Sequence, residues 1–454
     1  SGIDLTAPPG FAGQLAEWIE LQTRRPRRHL ATAAALTSLG NVAGLRYTDD
    51  LDGVTTNLFA FCVAGSRTGK ESIQKAMTQI HRAGNISPAT HGSIKSQQEI
   101  TRNLVRHQAA FYITDEVGSF LEKIDNAKKK GGAAYLDGVI SELMSVYSKA
   151  NGFYLLTGDA KEDLRTALNK EHAQLQKRVD EGDDSGPFIE RRIAQIKSAF
   201  ETIDDGLDRP FLSLVGFDTP STFEKLVDFR SATNGFFGRA LVFYDHETAP
   251  RTKKSEKKQP MPTSLSNTIS FVRHGGEYDM LSGERVENYG ERVEIPTDAR
   301  AREMLDQALD WFEDQAVLQK SRTGLEALYL GAYELMAKVS LILACPEGKR
   351  SAEHVRWAFT LVKHDIEMKV RLVVANDREK DDPKSSIRAR ILHILDKDGG
   401  ETWGVLKNRL RKSRAEDVKA VLDTLVERGQ VIAQDERARN GKRTKRFQAA
   451  NRVR

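Results

Sequence analysis

Cysteine is nearly absent: the chain holds two thiols, Cys62 and Cys345, in 454 residues. They lie far apart in apolar surroundings, which excludes a disulfide framework or a thiolate zinc site. The ten histidines show no metal-ligand spacing. No stretch approaches the ~18 consecutive apolar residues of a membrane-spanning helix. No cationic, apolar leader is read in the first residues. These absences predict a chain of a reducing cytoplasm with no membrane partner. Net charge is also small, +5, but it is unevenly placed. From Lys384 to Arg454 there are 19 Lys/Arg and 9 Asp/Glu, so the rest of the chain is mildly acidic. A basic tail on an acidic body points to nucleic acid as a partner, through attraction to phosphates. A solubilising tail is the plainer alternative.

The length allows two or three domains. Residues 1–50 predict a helical region: Phe11, Leu15, Trp18 and Ile19 share one helical face, and an Ala-rich helix follows. The texture then changes. "NLFAFCVA", "AAFYITDE", "FYLLTGD", "FLSLVGFD" and "ALVFYD" are short apolar runs of the kind buried strands carry. Helical stretches separate the first of them, which predicts a mostly parallel sheet flanked by helices over residues 51–250. A charged insert, 158–209, interrupts it. Leu164, Leu168, Leu175 and Val179, then Ile189, Ile193, Ile196, Phe200 and Ile203, predict an antiparallel helical hairpin with one apolar seam. It reads either as an arm touching DNA or a neighbouring subunit, or as a solvated decoration. Residues 247–268 read as a linker, 251–380 as linker plus helical domain, and 376–386 as a second linker.

The chemistry centres on Ala64-Gly65-Ser66-Arg67-Thr68-Gly69-Lys70-Glu71-Ser72. A phosphate-binding loop reads G-x-x-x-x-G-K-[ST] between a strand and a helix. Ala64 replaces the first glycine, which is tolerable where positive φ is not needed. Glu71 replaces the metal-binding hydroxyl, so Glu71 itself, or Ser72 shifted into reach, becomes a candidate Mg²⁺ partner. Backbone N–H groups over Gly65–Ser72 and the helix N-terminus would receive the phosphates of ATP. Lys70 would reach the β- and γ-phosphates.

In "AAFYITDE", Asp115 is placed for the Mg²⁺ shell and Glu116 as the base that polarises water. The 45 residues from Lys70 to Asp115 leave room for helix–strand–helix between the two motifs. Arg239, just before "ALVFYD", is the first candidate for an arginine acting on the γ-phosphate of a neighbouring subunit, and Arg230 the second. Asp218 or Thr219 would end a sensor strand. Lys338 is either a sensor from the helical domain or an exposed lysine of an amphipathic helix.

Residues 384–454 give three helices and a hairpin turning at Asn440-Gly441, the pattern of a winged helix. In that fold the third helix enters the major groove and the hairpin contacts the backbone. Candidate DNA contacts are Lys407, Arg409, Arg411, Lys412, Arg414, Arg439, Lys442, Arg443, Lys445 and Arg446.

The stretches "PPGFAGQLAEWIELQTRRPRRHLATAAALTSLGNVAGL", "NLFAFCVAGSRTGKES", "FYITDEVGSFL" and "NGFFGRALVF" resemble phage- and prophage-encoded P-loop ATPases of the replicative helicase type, over roughly residues 8–375. The Gly-Lys-Glu variant of the loop and a charged helical insert are similar to that group too. The resemblance implies an α/β fold: a RecA/AAA-like P-loop ATPase core with flanking helical regions and a C-terminal winged helix. It further implies a hexamer that uses ATP and Mg²⁺ to translocate on single-stranded DNA in a bacterial host or phage-infected cell. The winged helix would meet duplex or a fork. An ATP-switched initiator or helicase loader, and a DNA-binding regulator with a degenerate loop, are the competing expectations. Glu116 favours an enzyme, because a switch or scaffold needs no catalytic base.

Overall fold

The computed structural model describes residues 2–65, 69–115, 117–118, 134–182, 186–227, 235–245, 260–275, 292–379, 383–411, 413–427, 429–437 and 443–450. These include twelve strands: β1 (Tyr47–Asp49), β2 (Phe59–Val63), β3 (Thr90–His91), β4 (Ala109–Thr114), β5 (Phe153–Tyr154), β6 (Leu207–Asp208), β7 (Phe211–Asp218), β8 (Ala240–Tyr244), β9 (Val293–Ile295), β10 (Glu401–Thr402), β11 (Val431–Arg437) and β12 (Arg443–Ala449). The chain divides into two compact units. The first is Ser1–Thr222, Ala240–Met304 and Leu335–Thr360; the second is Phe223–Arg239, Leu305–Glu334 and Leu361–Arg454.

The first unit is built on a parallel five-stranded sheet, order β3-β4-β7-β2-β8. Every residue of β2 and β7 is buried. That is what continuous apolar strands achieve when helices cover both faces. The Ala-rich helix Arg28–Ala43 packs on β2, β7 and β8, and 14 of its residues are buried. The N-terminal helices are therefore part of the sheet's core. The helices Lys70–Ala83 and Gln97–His107 flank β3 in sequence, so one strand does lie between the two motif-bearing strands. Gln97–His107 is capped by Ser96, whose hydroxyl accepts from Glu99 N at 3.2 Å.

"FYLLTGD" does not join this sheet. Only Phe153–Tyr154 is extended, and it pairs antiparallel with β6. Leu155 is 67% exposed, so the run lacks the burial that its apolar composition suggested. The hairpin forms as expected, from helices Gly158–Asp180 and Gly186–Asp205. Leu175, Ile189 and Ile196 are its buried seam, with Leu168, Ile193 and Phe200 packed against them. Val179 lies beyond the seam and is exposed. Arg192–Glu171 (2.7 Å) joins the hairpin's two helices, and Arg106–Glu171 (3.8 Å) ties it to Gln97–His107.

Two linker expectations are corrected. The helix Thr263–Arg273 occupies the end of the first, and the helix Ala352–Glu379 runs into the second. Pro383 opens the next helix, a position where its missing N–H costs nothing. One segment, Glu326–Ala344, is long and apolar enough to cross a membrane by length and composition, but 72% of its apolar window is buried inside the protein.

The C-terminal residues of the second unit have their own core. Helices Pro383–Asp398, Trp403–Arg409 and Ala415–Glu427 enclose Ile387, Ile391, Leu395, Leu406, Leu422 and Leu425. They pack on an antiparallel three-stranded sheet, order β10-β12-β11. The short strand β10, between the first two helices, was not expected from the sequence.

Candidate functional site

The sheet order puts a switch point between β2 and β7. These strands are neighbours, yet the chain leaves β2 toward β3 on one side and β7 toward β8 on the other. In open parallel sheets ligands bind in the crevice at the carboxyl ends of such strands. Val63 pairs with Asp218 and with Tyr244, and Thr114 with Gly216. The register thus brings the residues after β2, β4 and β7 to one edge.

The suspected phosphate loop follows β2 at this edge. Ala64 is buried, and its N–H donates to the carbonyl of Asp218 at 3.1 Å. It is not among the positive-φ residues, so alanine serves where a glycine was expected. Gly69 has φ +91 and stands at the N-cap of Lys70–Ala83. A side chain there would strain the turn, which explains this glycine. Lys70 is half-buried and its Nζ donates to the Asp218 carbonyl at 3.1 Å. Its ammonium also opposes the effect of burial on the Cys62 thiol, which burial pushes up to about 12. Glu71 is exposed on the first helical turn, where a carboxylate suits the macrodipole. Ser72 is half-buried, and its N–H donates to Gly69 O at 3.1 Å. Gly65 precedes the loop's tip; Ser66, Arg67 and Thr68 lie outside the described residues.

Asp115 is exposed just past β4, while Glu116 lies outside the described residues. Val117 and Gly118 are buried against β7. A Cβ on Gly118 would collide with the Asp218 carboxylate and come within 2.7 Å of Thr222 Cγ2. A Cβ on Gly216 would meet Val117 at 2.6 Å. The segment after the Asp-Glu pair is therefore seated on the end of β7. Asp218 is 3% exposed, and its Oδ1 accepts from Thr219 N at 2.8 Å.

The segment Thr23–Arg28 was given no role from sequence, yet it borders this edge. A Cβ on Gly69 would lie 3.5 Å from Arg25 O and 3.7 Å from Thr23 Cβ. Arg27 forms a buried ion pair with Asp245 at 2.8 Å. Asp245 follows β8, and its N–H donates to Val63 O at 2.9 Å. This pair fastens a stretch with four arginines beside the loop. The signal was a carboxylate directly after an apolar strand, at the same edge as the other motifs.

Lys338 is neither an exposed lysine nor a sensor. It is 3% exposed, and its Nζ donates to Asn57 Oδ1 (2.6 Å) and Thr55 Oγ1 (3.2 Å), 4.9 Å from the Tyr147 ring centroid. Thr55 and Asn57 precede β2, so Lys338 sits at the end of the sheet opposite the loop.

Arg239 belongs to the second unit and ends the short helix Phe236–Arg239. Its N–H and its Nη1 both donate to Gly235 O, at 3.2 and 3.1 Å. Lys369, in a buried pair with Asp365 at 2.6 Å, donates to Phe237 O at 2.9 Å and anchors the same turn. Arg230 lies outside the described residues.

Of the candidate DNA contacts, Lys407, Arg411, Arg414 and Lys445 are exposed. Arg409 pairs with Glu401 at 3.5 Å, and Arg446 with Glu436 at 3.5 Å. Arg443 lies in β12, and Lys412, Arg439 and Lys442 are outside the described residues. Compared with family models and with curated proteins, the chain matches none.

Proposed function

We propose that this protein is a DNA-dependent ATPase of the ring-forming helicase type, acting on single-stranded DNA in replication of a phage or mobile element. The observation that carries the reading is Lys70. It stands at a helix N-terminus directly after a left-handed glycine, at the switch point of a parallel sheet, with its ammonium on the Asp218 carbonyl. A glycine turn, a helix N-terminus and one lysine at the carboxyl edge would form a cradle for a polyphosphate. The single strand between β2 and β4 further supports an ATPase that uses Asp115 and a neighbouring Glu116.

In this reading the backbone of Gly65–Ser72 and the Lys70 ammonium bind the phosphates. Asp115, with help from Glu71, would hold the Mg²⁺ that ATP brings, and the ion would supply charge neutralisation at the γ-phosphate. Glu116 orients the attacking water and takes its proton. The Asp218 carbonyl positions Lys70. Arg239 acts on the neighbouring subunit of a hexamer once its bond to Gly235 is exchanged. The C-terminal three helices and hairpin, taken as a winged helix in this reading, hold duplex or a fork.

Strand displacement on forked DNA with ATP tests the proposal. Wild type should unwind, and Glu116→Gln should bind ATP without unwinding. ATP-dependent assembly on duplex by both proteins, with no unwinding by either, would replace the helicase with an initiator or loader.

A further inference from the structure

The reading of the C-terminal unit as a DNA-binding domain leaves open which face meets the duplex. In a winged helix the third helix is the expected groove reader. Here that helix, Ala415–Glu427, is poorly suited to the task. Val418, Leu422 and Leu425 are buried, so its solvent face is Glu416, Lys419, Ala420, Asp423, Thr424 and Glu427. That face carries three carboxylates and one ammonium. The whole helix contains no Arg, Asn or Gln, the side chains that pair bidentately with guanine and adenine edges. A carboxylate can accept from one cytosine, but three along one face would lie between two rows of phosphates. Glu416 and Asp417 are instead well placed for their own helix, in its first turn.

The cations are elsewhere. Trp403–Arg414 holds five Lys/Arg and no acid. Lys407, Arg411 and Arg414 are exposed and have no ion-pair partner among the described residues. On the hairpin of β11 and β12, Lys445 is exposed as well.

We infer that this domain grips duplex DNA by its phosphate backbone, through Lys407, Arg411, Arg414 and Lys445, while helix Ala415–Glu427 stays out of the major groove. The inference rests on the DNA-binding reading and sharpens it. Phosphate contacts position a protein without reading sequence, so binding should tolerate any sequence and depend steeply on salt.

The test is fluorescence anisotropy of the full chain on two unrelated duplexes of equal length, across a salt series. Wild type should bind both within threefold. The double variant Arg411→Ala/Arg414→Ala should lower the log–log salt slope by about 2 and weaken binding about 30-fold at 0.15 M salt. The triple variant Glu416→Gln/Asp423→Asn/Glu427→Gln should bind within twofold of wild type. A triple variant binding tenfold tighter or weaker would put the helix on the DNA and overturn the inference. So would an unchanged Arg411/Arg414 variant, or a strong preference for one duplex. No duplex binding by wild type would instead remove the DNA-binding reading itself.

Discussion

Gly118→Ala tests how the carboxyl edge of the sheet, the proposed ATP site, is assembled. The added methyl would clash with the Asp218 carboxylate, lie 2.9 Å from its Cγ and lie 2.7 Å from Thr222 Cγ2. Ordinary carbon contacts are ~3.5–4.0 Å. Asp218 is 3% exposed, so its carboxylate has no open space to move into. Overpacking of this kind costs about 1–3 kcal/mol. For a unit of this size that corresponds to a melting temperature lower by about 2–5 °C. The clash falls on the residue whose carbonyl receives Lys70 and Ala64, and on the segment directly after Glu116. ATP turnover should therefore fall at least tenfold even at temperatures where the variant is folded. Gly92→Ala is the control, because nothing lies within 4 Å of a Cβ there. It should stay within about 0.5 kcal/mol of wild type. Thermal unfolding and phosphate release read the two effects. Gly118→Ala with wild-type stability and turnover would refute the seating of residues 117–118 on β7.

Other perturbations separate framework from chemistry. Lys338→Met should cost about 1–3 kcal/mol by stranding buried acceptors while nucleotide affinity stays within twofold; a tenfold loss of affinity in a titration would return Lys338 to the site. Asp49→Asn should cost about 3–5 kcal/mol in urea unfolding. It leaves Arg350, fully buried, without the carboxylate that its Nη2 meets at 2.7 Å. His81 is buried between Asn41 and Thr90, and burial lowers its pKa from the usual 6.5 to about 3. Its folded pKa is depressed, so below pH 6.5 the unfolded chain takes a proton that the folded protein refuses. Stability should therefore fall as pH drops from 6.5 toward 3, by about 3 kcal/mol at pH 4.5 from this group. Urea midpoints at pH 7.5 and 4.5 should show a smaller acid loss in His81→Gln.

The strands that matter were legible because a five-residue apolar run bounded by polar residues has few other solutions. "FAFCV" and "FLSLVGFD" are buried throughout, as that pattern requires. "FYLLTGD" has the same texture but lies at the base of the hairpin, where only tertiary context decides burial. The hairpin was readable from its 3.6-residue seam. The linkers were misjudged because charge and proline at 376–386 mimic a loop, whereas proline at a helix start and charges on a solvent face are equally at home in helices. Lys338 was misread for a related reason. Periodicity does not say whether a lysine faces solvent or the polar residues that precede a buried strand. At the candidate site, the loop, Asp115 and the Asp218 edge were visible as motifs at strand ends. The Arg27–Asp245 pair was not, because its partners are more than two hundred residues apart and only the fold joins them.

The central claim is that Lys70 and its loop form a working ATP site coupled to DNA. The most direct measurement is phosphate release from ATP by wild type and Lys70→Ala, with and without single-stranded DNA. The account predicts turnover that DNA stimulates several-fold in wild type and that is abolished in Lys70→Ala, whose fold is retained. Equal release by the two proteins, unaffected by DNA, would contradict it.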